Sequence, residues 1–87
     1  MRRFHGDLLM GGVAIKEVDG IVDDVFDDSG SHQEGKFQVE AQKQSILELG
    51  RPYLLMLDDG GSIKLVVNDI GEASDPGRLV VQFESTS

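Results

Sequence analysis

Cysteine is absent from the 87 residues. Its absence excludes disulfides and thiolate chemistry, and it accords with a reducing compartment. Long apolar runs are missing too: nothing approaches the roughly 18 residues of a membrane span. The opening stretch MRRFHGD carries two arginines but no apolar segment of the secretory kind. A soluble, cytoplasmic protein with no membrane partner is therefore expected. Basic residues are scarce, with eight Lys and Arg against 16 Asp and Glu and a formal net charge of −8. The eight bases are spread along the chain and never cluster with aromatics. Phosphates would be repelled over most of such a surface, so no nucleic-acid partner is expected.

Motifs that carry chemistry are lacking as well. His5 and His32 lie in no HExxH or other paired ligand spacing, and the two Gly-Gly steps match neither GxGxxG nor GxxxxGK[ST]. Ser31 and His32 are chain neighbours without a third group to orient them as nucleophile and base. No catalytic residue, cofactor-binding residue or metal ligand is assigned, no cofactor is expected, and an enzyme is not predicted.

What is present begins with size. A chain this short makes one domain, residues 1–87, and buries only roughly 60% of its unfolded surface. A composition of 39% hydrophobic and 28% charged residues is that of a globular chain. The clearest local signal is YLLMLDDGGSIKLVV, residues 53–67, in which two β-rich runs flank Asp-Asp-Gly. A three-residue loop of Asp58, Asp59 and Gly60, with Gly60 in the left-handed region, sets Leu55 opposite Ile63 and Tyr53 opposite Leu65. Tyr53, Leu55, Leu57, Ile63, Leu65 and Val67 then share one face. A two-residue loop would set Leu55 beside Lys64 and break that face, because one residue of slip reverses every side chain.

Further strands are predicted over FHGDLLM, with Phe4, Leu8 and Met10 on one side, then through a Gly11 and Gly12 turn into VAIKEV. VDGIVDDVF, residues 18–26, reads as a strand bent or turned at Asp19 and Gly20. KFQVEA points Phe37, Val39 and Ala41 inward, and RLVVQFE alternates through Leu79, Val81 and Phe83. In EAQKQSILELG, residues 40–50, Ala, Gln, Lys, Leu and Glu favour a short helix or helical turn near residues 42–48, with Gly50 as its stop. The fold class that results is mainly β: a small antiparallel barrel, SH3-like or OB-like, of five to six strands with one short helical element.

The stretch DDVFDDSGSHQE, residues 23–34, is the densest run of acid. Aligned as a calcium loop it fails, because Val25 occupies a ligand position and no glycine falls at the sixth. A set of Asp27, Asp28 and Glu34 is the form a cation site would have to take. Composition instead predicts an exposed connection from Phe26 to Lys36. Asp58 and Asp59 are what a hairpin turn favours, and a hairpin tip supplies no cleft for acid–base work.

One feature resists a purely structural reading. In the derived hairpin register Leu54, Met56 and Val66 face away from the core, and Val80 and Leu9 are expected to join them. A sheet with one solvated face should be polar there. Either the short helix, with Ile46, Leu47 and Leu49, covers this face, or another protein does. The favoured function is a non-enzymatic protein-binding or assembly module acting through that face, with a protein partner or by self-association. The alternatives are an acidic-loop binder of a divalent metal or other ligand, and an acidic inhibitor or immunity-type protein imitating nucleic acid.

Overall fold

The computed structural model describes residues 2–28, 30–42 and 47–86. Six strands are formed: β1 (Arg2–Met10), β2 (Val13–Asp27), β3 (Gly30–Glu40), β4 (Pro52–Leu57), β5 (Ser62–Glu72) and β6 (Arg78–Ser85). They close into a ring in the order β1-β2-β3-β6-β5-β4, and every neighbouring pair is antiparallel. The molecule is thus two three-stranded meanders, joined through their first strands (β1 with β4) and through their last (β3 with β6).

Alternation fills the ring. Leu8, Val18, Val22, Phe37, Val39, Tyr53, Leu55, Leu65, Val67, Val81 and Phe83 are buried inside it. At roughly 1.5–3 kcal/mol for each large apolar side chain removed from water, this interior is the main source of stability. Phe83 anchors one end, edge-to-face with Phe4 (ring centroids 6.1 Å apart) and tilted against Phe37 (5.8 Å). Gly20 and Gly35 make room for these rings. A β-carbon at Gly20 would lie 2.7 Å from the Phe4 ring, and one at Gly35 would lie 2.6 Å from the Phe83 ring.

The β4–β5 hairpin has the three-residue loop. Leu55 faces Ile63, Tyr53 faces Leu65, and Gly60 has φ 93°. The Gly60 N–H donates to the Leu57 carbonyl at 3.0 Å, and the Leu57 N–H donates to the Gly61 carbonyl at 2.8 Å.

Two bulges keep apolar residues pointing inward where a strand must curve. On β2, Lys16 and Glu17 together oppose Asp7, with Glu17 at φ 59°. The Asp7 carboxylate accepts the Glu17 N–H at 3.0 Å and holds the irregularity in place. On β5 the register shifts between Val67 and Asp69, so that Val67 and Ile70, three residues apart, both pack on the core.

Several expectations need correction. The predicted connection from Phe26 to Lys36 does not exist as a loop. β2 runs to Asp27 and β3 starts at Gly30, so residues 23–34 form the far end of a hairpin. β2 passes through Asp19 and Gly20 without a turn; its irregularity is the bulge at Lys16 and Glu17. Ala41 is exposed rather than inward, because β3 ends at Glu40.

Of the helix expected near 42–48, residues 43–46 lie outside the described residues. Ala41 and Gln42 lie in a 3-10 turn, whereas Leu47 and Glu48 are not helical. β3 and β4 stand on opposite sides of the ring. Leu47, ahead of β4, is buried as part of the core. The Glu48 N–H donates to the Tyr53 hydroxyl at 2.7 Å, and the Gly50 N–H donates to the Val67 carbonyl at 2.9 Å.

Candidate protein-binding face

On the outer wall, Leu9 of β1 pairs directly with Leu54 of β4, and both are half-buried. Met56 follows two residues along β4, is 39% exposed, and stands between Asp7 and Ser62. On β5 Leu54 faces Lys64, and Val66 lies two residues farther along, opposite Pro52 on one side and Glu84 on the other. Leu9, Leu54, Met56 and Val66 therefore share one outward area over β1, β4 and β5, as the register predicted.

The segment expected to cover them does not do so with the side chains described. Leu47 is buried in the core, and Leu49 is 63% exposed. Ile46 lies outside the described residues.

Val80 does not belong to this group. It pairs with Gln38 and Gly71, and it lies four residues along β6 from Glu84, the residue that faces Val66. That is about 13 Å of strand. Sequence alternation correctly turned Val80 outward but could not show at which height on the barrel it sits.

The acidic stretch takes a form that composition concealed. In the β2–β3 hairpin, Asp23 faces Glu34, Val25 faces His32 and Asp27 faces Gly30. His32 lies between two carboxylates: Nε2 is 3.0 Å from Glu34 Oε1, and Nδ1 is 3.7 Å from Asp27 Oδ2. On the adjacent strand Glu84 approaches, and His32, Glu34 and Glu84 offer ligand-type atoms within 4.8 Å of one another. The hydrogen bond to Glu34, followed by the charges of Glu34, Asp27 and Glu84, raises the His32 pKa above its ordinary value. The arrangement thus favours an imidazolium paired with carboxylates, and protonation competes with the neutral imidazole that a metal requires. The set Asp27, Asp28 and Glu34 named from the sequence is not brought together as such, because His32 intervenes.

His5 is placed in a comparable way. Its Nδ1 is hydrogen-bonded to Asp19 across the β1–β2 pair, and its Nε2 lies 3.9 Å from Asp58 at the β4–β5 turn. The bond to Asp19 is the main cause that raises the His5 pKa, with the charges of Asp19, Asp58 and Glu17 adding to it. Asp58 and Asp59 serve the turn. The Asp58 N–H donates to the His5 carbonyl at 3.0 Å, and Asp59 Oδ1 accepts the Gly61 N–H at 2.8 Å.

Among the described residues no helix is long and apolar enough to cross a membrane. The chain matches no protein family, no curated protein and no solved structure.

Proposed function

We propose that the protein is a non-enzymatic protein-binding module, acting in the cytoplasm through the outer barrel wall around Leu9, Leu54, Met56 and Val66. The carrying observation is the direct pairing of Leu9 with Leu54 on the outside of a barrel whose core takes up Leu47. Apolar side chains gathered on an outer sheet face mark a surface that a partner can dry. The partner would be a protein, because the net charge of −8 disfavours nucleic acid.

The test is capture from a native lysate with the parent and with Met56→Lys as baits. An ammonium is solvated on a free surface but is costly when buried unpaired in an interface. The variant is expected to keep its β spectrum by circular dichroism and to lose the specifically captured protein. Identical capture by both folded baits would end this reading.

A further inference from the structure

The chain is acidic, yet three of its cations face one groove on the barrel wall. Arg3 of β1, Lys36 of β3 and Arg78 of β6 line an open depression of about 940 Å³. Ile21 pairs with Arg3 on one side and with Lys36 on the other, so it lies between them. One row along, Val80 pairs with Gln38. Ile21 and Val80 are half-buried, one on each strand beside β3, and supply the apolar parts of the groove's floor.

Arg78 is held over this floor by its Nε, which donates to Gln38 Oε1 at 3.2 Å. The groove contains one carboxylate, Asp19, and His5 engages it. Among the described residues Arg3, Lys36 and Arg78 have no ion pair, whereas Arg2 and Arg51 each have one. An anion-rich segment with one apolar anchor complements such a surface: the cations draw it in, and the floor takes the anchor.

The chain carries a segment of that kind. β1 pairs with β2 only as far as Val22, and β6 pairs with β3 only from Glu34. Beyond those points β2 and β3 continue as a two-stranded arm, roughly 15 Å long at the usual rise per residue. Phe26 on this arm is 79% exposed, more than any other large apolar side chain among those described. By strand alternation Asp24 shares the face of Phe26 and Asp28 follows at the end of the strand, whereas Asp23 and Asp27 lie on the opposite face with His32. The arm cannot reach the groove of its own molecule, because the strands that form it, β2 and β3, also form the groove's middle and run away from it along the barrel.

We propose that the groove receives the acidic β2–β3 arm of a second copy of the chain, with Phe26 against the groove's apolar floor and the Asp24 and Asp28 carboxylates toward Arg3, Lys36 and Arg78. The contact is heterologous, arm into groove, so successive copies add head to tail. It rests on the reading of the protein as a protein-binding module but uses a different part of the wall, so the two can fail separately.

Sedimentation at about 0.01 M and about 1 M salt, where screening lengths are about 30 Å and 3 Å, provides the first test. The parent is expected to show concentration-dependent mass above one chain at low salt and to revert at high salt. Phe26→Ser removes the arm's anchor, and Lys36→Glu with Arg78→Glu reverses the groove's charge. These positions are exposed, so both variants are expected to stay folded and to sediment as single chains. Mixed together, they supply one intact groove and one intact arm, and a two-chain species that grows no further is expected. Three results would overturn the proposal: a parent that stays monomeric at low salt, an association unchanged in either variant, or a mixture that forms no pair. Met56→Lys is expected to leave this association intact. An association lost in Met56→Lys and retained in Phe26→Ser would instead assign self-contact to the β1–β4–β5 wall and overturn the arm–groove contact.

Discussion

Gly6 lies directly against the carbonyl oxygen of Met56: a β-carbon at position 6 would overlap it. Gly6 is where β1 leaves its pairing with Val18 and enters the bulge, and it also faces Leu57 across β4. The ring closes through this contact between its first and fourth strands. Gly6→Ala is therefore expected to cost roughly 1–3 kcal/mol, as forced overpacking does. Urea unfolding of parent and variant measures the difference, and an unchanged midpoint would show that β1 and β4 are not so closely joined.

Gly60 closes the β4–β5 hairpin at φ 93°, with open space where a side chain would go. Its requirement is thus conformational and not steric. Gly60→Val should lose at least about 1 kcal/mol, since a β-branched residue tolerates positive φ poorly, while Gly60→Asn should lose less. Equal melting temperatures for the two variants would contradict the turn.

Tyr53 ties the segment before β4, residues 47–51, to the barrel, because its buried hydroxyl accepts the Glu48 N–H. Tyr53→Phe conserves the ring but leaves that N–H without its acceptor. A loss of about 1–2 kcal/mol is expected, together with faster hydrogen exchange at Glu48 and Gly50. Exchange that is faster everywhere, and not in this segment, would place the effect elsewhere.

His5 and His32 each sit among carboxylates that raise their pKa above the ordinary 6.5. A raised folded-state pKa means that the folded form binds the proton more tightly than the unfolded chain does. The stability contributed is full below the unfolded value, about 6.5, and is lost as pH rises through the raised one. The parent is therefore expected to melt higher near pH 6 than near pH 8, and His5→Gln with His32→Gln should flatten that dependence. NMR titration of the two imidazoles supplies the direct check. Values at or below 6.5 would remove the predicted pH effect.

The hairpin of residues 53–67 was legible because local turn chemistry and side-chain alternation agree on a single register. The inward set of β1, β3 and β6 followed from period-two patterning alone, and only Ala41 was misplaced, one residue past a strand end. The acidic run 23–34 misled because Asp, Ser and Gly report local preference for a turn. The ladder there is instead continued from Val22 and Gly35, whose register the core imposes, and the pairs His32–Glu34 and Arg2–Asp24 offset part of the crowding of like charge.

What the sequence by itself determined is therefore what depends on neighbours in the chain: a mainly β domain, the Gly60 turn, and which side of each strand is apolar. Tertiary structure decided everything that depends on residues far apart. It set the closure of β1 on β4 at Gly6 and the burial of Leu47 in the core. It separated Val80 from Leu54, and it brought Arg3, Lys36 and Arg78 around one groove. The physical reason is that alternation fixes the face of a side chain but not its height on the barrel. Height is set by long-range register and by bulges such as that at Lys16 and Glu17, and these arise only when the whole ring packs its interior at once.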